Sequence, residues 1–197
     1  INQAAIRLLR RHGVEVVMPT EEACCGALQH QLGREDEAHK AARRNVDAWS
    51  SALREGPLDA ILTTASGCGT MIKDYGHLLA RDRGYAERAT DMSRIARDIG
   101  EFIYELGLLP PLAWTSLRVA YHSACSLEHG QQVGHEPRAL LSQAGFTVLE
   151  VPEGHICCGS AGTYNMLQPE LSGQLRDRKL KNIASVKPDL IATGNIG

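Results

Sequence analysis

Two pairs of adjacent cysteines, each followed by glycine, are the residues of this sequence best suited to chemistry. The first is Cys24-Cys25-Gly26, the second is Cys157-Cys158-Gly159, and the remaining two of the six cysteines are Cys68 and Cys125. Six cysteines in 197 residues are too few for a small secreted disulfide scaffold, and adjacent cysteines are poorly placed to bridge each other. Clustered thiols that stay reduced are typical of metal ligands or redox groups.

The thiol pairs lie in an internal repeat that matches strand, thiol pair, helix, strand and turn. Aligned on Cys-Cys-Gly, the matched segments are residues 13–16 with 145–148, residues 59–63 with 189–193, and residues 66–68 with 195–197 and the next residue. The repeat therefore predicts a cysteine directly after Gly197, matching Cys68. It also predicts one several residues before Ile1, matching Cys125. Each complete half would then hold four thiols.

Thiolates from several loops suit a soft metal centre, either zinc or an iron–sulfur cluster. Structural zinc sites usually separate paired cysteines by about two or more residues, whereas a larger multi-iron cluster can bind adjacent thiols on different atoms. The small residues Gly26 and 159–162 would let backbone N–H groups approach cluster sulfur. We predict iron on these grounds. A structural zinc site that holds loops for docking a partner is the alternative.

Helix and strand patterns alternate along the chain, which is typical of an α/β fold. Helix patterns cover residues 1–12, 35–54, 96–106, 137–144 and 170–184, with another helix beginning near residue 71, and strand patterns cover residues 14–18, 59–64, 117–121, 146–151 and 189–193. We predict two tandem domains, 1–109 and 116–197, separated at Pro110-Pro111. Each would be a small, mainly parallel sheet flanked by helices, with thiol loops at the carboxyl ends of strands.

The last helix pattern carries four apolar residues that we expect to contact the core: Leu171, Leu175, Leu180 and Ile183. His122 lies three residues before Cys125. We expect it to pack at a strand end or to support a metal ligand. The alternative is that it activates Cys125 as a nucleophile, which leaves the paired thiols unexplained. We expect three further histidines to be ordinary surface or loop residues: His30, His129 and His155.

Composition bounds the class of protein. With 43% apolar residues the chain can form a core, and a net charge of −2 gives no general reason to bind nucleic acid or an anionic membrane. No apolar run approaches the roughly 20 residues of a membrane-spanning helix, and no N-terminal signal pattern is visible. These features predict a soluble compartment, no nucleic-acid partner and no transmembrane segment.

The cysteine spacing resembles that of the CCG cysteine-rich domain, which reads Cys, a long gap, Cys-Cys-Gly, a long gap, and Cys-x-x-Cys. Here Cys125 is followed after 31 residues by Cys157-Cys158-Gly159. Two such domains in tandem are similar to the C-terminal part of glycolate oxidase iron–sulfur subunits, and more distantly to the cysteine-rich subunit of heterodisulfide reductase. The segments AYHSACSLEHGQ, CCGSAGTYNMLQPELSGQLRDRKLKNI and ASGCGTMIKDYGHLL favour the glycolate oxidase branch. The resemblance covers nearly the whole chain.

This resemblance implies an electron-transfer subunit of an oxidoreductase complex. Flavin-containing partner subunits would oxidise a 2-hydroxy acid such as glycolate, and this chain would hold no catalytic residue of its own. It implies clusters of the 4Fe-4S type and a cytoplasmic location, with peripheral association at the inner face of the membrane through the complex. The ligands that carry over are Cys24, Cys25, Cys68, Cys125, Cys157 and Cys158.

The chain departs from the family pattern at Met71, which stands where the second cysteine of Cys-x-x-Cys is expected. Because a thioether is a weaker ligand than a thiolate, we expect weaker metal binding in the first half. The ferredoxin-type motifs of such subunits do not occur in this sequence. A disulfide-reducing subunit of the heterodisulfide reductase type is a further alternative function.

Overall fold

A computed structural model describes residues 1–195 of the chain. The Cα positions divide it into two compact units, of which the first is Ile1–Phe102 and the second begins at Ile103. The predicted domain limits, 1–109 and 116–197, stay a prediction. The last two residues of the predicted terminal turn, Ile196 and Gly197, lie outside the described residues.

The first unit is mostly helical around one pair of strands. Its helices are α1 (Asn2–Arg11), α2 (Ala27–Gln31), α3 (Glu35–Glu55), α4 (Ser66–Lys73), α5 (Tyr75–Leu78), α6 (Ala86–Ile95) and the start of α7 (Ile99–Leu106). Strand β1 (Ile61–Thr63) pairs in parallel with β2 (Ala96–Asp98). The connection between these two parallel strands runs through α4, α5 and α6, as a parallel crossover requires.

Helix α3 supplies the core of the first unit through one apolar face. Its buried face is formed by Ala38, Ala42, Val46, Trp49 and Ala52. The spacing of these residues follows the helical period, and the small alanines let neighbouring elements approach closely. The rings of Trp49 and Tyr75 stack with centroids 5.9 Å apart. Burial of such side chains stabilises the unit by about 1.5–3 kcal/mol for each large residue.

The second unit contains a three-stranded parallel sheet in the order β4, β3, β5. The strands are β3 (Arg118–His122), β4 (Thr147–Leu149) and β5 (Leu190–Thr193), and the helices are a π-helix (Ser126–Gly130), α8 (Glu136–Gln143), α9 (Tyr164–Leu167) and α10 (Pro169–Ser185). The central strand β3 is buried at Val119, Ala120 and Tyr121. Because all three strands are parallel, their carboxyl ends lie at one edge of the sheet.

The α/β prediction with small parallel sheets flanked by helices is confirmed. The strand predicted at residues 14–18 is wrong, because this segment pairs with no strand in the described part of the chain and a strand needs a hydrogen-bonded neighbour. Its Val17 and Met18 are exposed. The pattern at residues 96–106 also combines two elements, since it begins as β2 and only then becomes α7.

Helix α10 buries fewer of its leucines than its pattern predicts. Ile183 lies in the core, but Leu171 is 51% exposed and Leu180 is 50% exposed. The side chains that α10 buries besides Ile183 are polar, namely Ser172 and Lys179. Within residues 1–195, no helix is both long enough and apolar enough to cross a membrane.

Candidate functional site

Three thiols lie together in the first unit. Cys25 is buried, Cys68 is half-buried in the first turn of α4, and Cys24 is exposed. A hydrogen bond between the thiols of Cys25 and Cys68 lowers the pKa of Cys68 and, together with burial, raises the pKa of Cys25. All three are free of disulfides. The chain therefore brings together three soft ligand atoms from two segments 43 positions apart, as the numbers of Cys25 and Cys68 show.

The glycine after the first pair is required by both conformation and contact. Gly26 has φ +83°, in the left-handed region. A Cβ at this position would lie 3.1 Å from Ala41 Cβ and 3.2 Å from the Ala38 carbonyl oxygen. The thiol loop thus packs directly on α3, and only glycine combines this backbone conformation with so close an approach.

Two buried polar side chains hold the backbone of the first thiol loop. Asn45 accepts a hydrogen bond from the Ala23 N–H at 2.8 Å and donates to the Cys24 carbonyl at 3.3 Å. The Tyr75 hydroxyl donates to the Cys25 carbonyl at 2.8 Å and accepts from Asn45 Nδ2 at 3.0 Å. Burial is the main cause of the raised pKa of Tyr75, so its hydroxyl stays a donor. Neither residue could be predicted as part of the site from the sequence, because neither lies in the cysteine motif.

Met71 has a structural role in the first unit. Its side chain is buried in the core cluster that contains Cys25, and Cys68 packs against the same cluster. The residue at the second cysteine position of Cys-x-x-Cys therefore contributes apolar packing. This placement agrees with the expectation of weaker metal binding in the first half, because a core thioether is a poor substitute for a thiolate.

The second unit also gathers three thiols. Cys125 follows the end of β3 and directly precedes the π-helix, while Cys157 and Cys158 lie on the loop after β4. Burial, followed by the charges of Cys157 and Cys158, raises the pKa of Cys125. Since β3 and β4 are parallel neighbours, their carboxyl ends deliver these thiols to one edge of the sheet.

One backbone N–H group of the second thiol loop points at a cysteine sulfur. The Gly159 N–H donates to Cys157 Sγ at 3.3 Å. Gly159 has φ +89°, and a Cβ there would lie 2.5 Å from the Ser172 carbonyl oxygen of α10. The Ser172 hydroxyl in turn donates to the Gly159 carbonyl at 2.9 Å. The loop is held against α10 as the first loop is held against α3.

The segment before the second pair is held by three side chains of α10. Lys179 Nζ donates to the carbonyl oxygens of Glu153 at 3.2 Å and Gly154 at 2.8 Å. The Glu153 carboxylate accepts from Arg178 Nε and from Asn182 Nδ2, both at 2.8 Å. These hydrogen bonds, that of Arg178 first, lower the pKa of Glu153 to about 2. This network could not be predicted from the sequence, because the residues of α10 that form it have the pattern of a solvated helix face.

The histidines take little part in the thiol sites. His122 ends β3 and is half-buried, and its pKa is lowered mainly by burial and further by the charge of Lys179. In the described part of the chain no hydrogen bond joins His122 to Cys125. His30, His129 and His155 are exposed.

The chemistry of the donor atoms fits an iron–sulfur cluster. Among residues 1–195, no three His, Cys, Asp or Glu side chains are placed to hold one metal ion together. An iron–sulfur cluster is held by cysteine thiolates and accepts N–H hydrogen bonds at sulfur. Three reduced thiols with a backbone N–H already directed at Cys157 Sγ match that requirement.

Comparison with known proteins places these features in a family. The sequence profile of the CCG family, described as "Cysteine-rich domain", matches residues 1–73 and 119–197. The predicted resemblance is therefore confirmed.

Curated relatives carry related names. The chain is 41% identical over 196 residues to the "Glycolate oxidase iron-sulfur subunit" of Escherichia coli (strain K12), covering 100% of this chain and 48% of that protein. It is 33% identical to the "Probable glycolate oxidase iron-sulfur subunit" of Bacillus subtilis (strain 168), covering 100% of this chain and 44% of the relative. "Lactate utilization protein A" of Oceanobacillus iheyensis is 26% identical, with 100% and 79% covered. The chain spans about half the length of the first two relatives.

Proposed function

The chain belongs to the CCG cysteine-rich domain family, and from that membership we propose that it is the ligand-bearing part of an iron–sulfur electron-transfer subunit in a 2-hydroxy-acid oxidase. The observation that carries the proposal is the second thiol site. There Cys125 and the Cys157-Cys158 pair follow the carboxyl ends of two neighbouring parallel strands, and the Gly159 N–H donates a hydrogen bond to Cys157 Sγ. Relatives named for glycolate oxidase and for lactate utilization support a 2-hydroxy acid as the substrate class.

The proposed ligands are the six thiols, three in each unit: Cys24, Cys25, Cys68, Cys125, Cys157 and Cys158. When bound, a cluster of the 4Fe-4S type supplies one-electron oxidation and reduction. The chain's own contribution is to hold the thiols before binding, to bury Cys25 and to direct the Gly159 N–H at Cys157 Sγ. These are the means by which a protein sets a cluster's reduction potential.

One position bears on how well the first unit can hold metal. Met71, which stands where the family pattern has the second cysteine of Cys-x-x-Cys, is a buried core residue, so this position supplies no thiol. We therefore propose that the second unit binds its cluster more firmly.

Substrate oxidation belongs, in this proposal, to flavin-containing partner subunits. The chain itself would contribute no catalytic residue and would relay electrons only. We propose a cytoplasmic location for the complex, with peripheral contact to the inner face of the membrane.

The test is metal analysis of the full-length protein, purified without oxygen. Iron, acid-labile sulfide and zinc are measured with electron paramagnetic resonance, on the wild type and on two paired variants, Cys24→Ser with Cys25→Ser and Cys157→Ser with Cys158→Ser. We expect iron, sulfide and a reducible signal, with the larger loss in the Cys157 and Cys158 variant. Thermal unfolding confirms that both variants are folded.

Other outcomes identify the alternatives. Stoichiometric zinc in a colourless, folded protein would contradict the proposal and favour a structural zinc-binding interaction module. Turnover of a disulfide substrate by the isolated subunit would favour the disulfide-reducing type instead of a simple relay.

A further inference from the structure

The two thiol loops pack on their following helices in the same way. Gly26 and Gly159 both have left-handed backbone, and both abut a helix carbonyl, that of Ala38 in α3 and that of Ser172 in α10. Ala38 and Ser172 are therefore equivalent positions of the two units. The contact defines this equivalence in space, independently of how the two helix sequences align.

Seven residues beyond each contact, the helix carries a buried polar side chain that reaches back to the thiol loop. In α3 this is Asn45, 1% exposed, and in α10 it is Lys179, 4% exposed. Asn45 donates to the Cys24 carbonyl, and Lys179 donates to the carbonyls of Glu153 and Gly154. Asn45 is neutral and holds the thiol pair itself, whereas Lys179 is a buried cation and holds the backbone just before the second pair.

Resting on the proposed function, we propose that Lys179 is a positioning residue whose buried charge raises the reduction potential of the second unit's cluster. Its two hydrogen bonds hold the backbone that leads to Cys157. Adding an electron to a cluster adds negative charge, and a fixed cation nearby in a poorly screened interior stabilises the reduced form. The neutral Asn45 can supply only the first of these two effects.

A lysine is an unfavourable choice for a merely structural role at this position. Burying an ammonium group costs free energy unless hydrogen bonds and negative charges compensate it. Burial lowers the pKa of Lys179, while Cys158, Cys157, Glu153 and Glu128 favour its charged form. The corresponding carbonyl of the first unit, that of Glu21, accepts a hydrogen bond from the exposed guanidinium of Arg44, so in that unit loop support does not require a buried charge.

The experiment is a redox titration of full-length protein followed by electron paramagnetic resonance. Lys179→Gln removes the charge and keeps a donor, and Lys179→Asn introduces the residue that the first unit uses. Lys179→Arg keeps the charge. Lys181→Gln is the matched control, because it removes an exposed lysine of the same helix. Iron content and thermal unfolding are measured for every variant.

We expect the second unit's signal to become harder to reduce in both neutral variants. At the wild-type midpoint potential, the ratio of reduced to oxidised cluster should fall about tenfold, which is about 59 mV for a one-electron couple. Lys179→Arg should keep a potential close to that of the wild type, because it keeps the charge. Lys181→Gln should leave the potential unchanged. A merely structural role for Lys179 would change iron content or unfolding without this dependence on charge.

The failures are distinguishable. Normal iron content with an unchanged potential in Lys179→Gln and Lys179→Asn would overturn the role of Lys179 and leave the proposed function intact. Absence of iron from the folded wild-type protein would instead overturn the proposed function, and with it this inference. A potential that falls equally in Lys181→Gln would also overturn it, since the effect would then be one of overall charge.

Discussion

The hydroxyl of Tyr75 donates a 2.8 Å hydrogen bond to the carbonyl oxygen of Cys25, a residue fifty positions earlier in the chain. The same hydroxyl accepts a hydrogen bond from Asn45, which also holds the Cys24 carbonyl. Helix α3, which carries Asn45, and helix α5, which carries Tyr75, thereby both fix the backbone of the first thiol loop. The loop is held by the fold of the unit before any metal is bound.

Replacing Tyr75 with phenylalanine should destabilise the first unit. The substitution keeps the ring that stacks on Trp49 but leaves the Cys25 carbonyl without its donor. We expect the free energy of unfolding to fall by about 1–3 kcal/mol, the cost of a buried unsatisfied group. Denaturant unfolding of the metal-free protein measures this. Tyr104→Phe is the control, because Tyr104 is partly exposed and should change stability by less than about 0.5 kcal/mol. Equal effects of the two changes would contradict the role of the Tyr75 hydroxyl.

Gly159→Ala should disrupt the second thiol loop. The new Cβ would meet the Ser172 carbonyl at 2.5 Å, and the φ of +89° is unfavourable for alanine. We expect a loss of about 2–4 kcal/mol in stability and a lower iron content, since strain and overpacking act together.

Gly173→Ala is the matched control for this substitution. Gly173 lies in the interior of α10, and a Cβ there has nothing within 4 Å. Alanine should stabilise the helix by up to about 1 kcal/mol. If both alanine variants behave alike in thermal unfolding and metal analysis, the close packing of Gly159 is not required.

Glu153 should make the second thiol loop sensitive to acid. Its pKa is lowered to about 2 by Arg178 and then by Asn182, so its interactions are fully present above its ordinary value of 4.5 and are lost as the pH falls towards 2. We expect the melting temperatures of wild type and Glu153→Gln to differ at pH 7 and to converge over that acid range. Arg178→Gln should reduce stability in the same pH-dependent way. A difference that is constant from pH 7 to pH 2 would contradict this role of the carboxylate.

Metal loading should stabilise the second unit more than the first. Because a ligand that binds only the folded state adds free energy to it, removal of iron should lower the melting temperature. Cys157→Ser with Cys158→Ser should abolish most of this difference, whereas Cys24→Ser with Cys25→Ser should preserve most of it. Differential scanning calorimetry of loaded and chelated protein checks both. If the Cys24 and Cys25 variant instead lost more of the stabilisation by iron, Met71 would not weaken metal binding in the first unit.

Much of the fold could be predicted from local pattern. The strand patterns around β1, β3, β4 and β5 are short β-branched or apolar runs bounded by turn residues, and α3 has an apolar face of helical period. The prediction of a strand at residues 14–18 was wrong, and a local sequence pattern could not have shown this. A strand depends on a neighbour that donates and accepts its ladder hydrogen bonds.

The sequence by itself determined the repeat, the α/β class and the thiol motifs that resemble the family pattern, because motif spacing and hydrophobic period are properties of the sequence alone. Tertiary structure alone decided which polar residues serve those thiols. Tyr75, Asn45 and Lys179 look like ordinary helix residues, and they acquire their roles through contacts with residues 21 to 50 positions away. Tertiary structure also decided that Leu171 and Leu180 of α10 are exposed and that Lys179 is buried, because burial on this helix depends on the loop that packs against it.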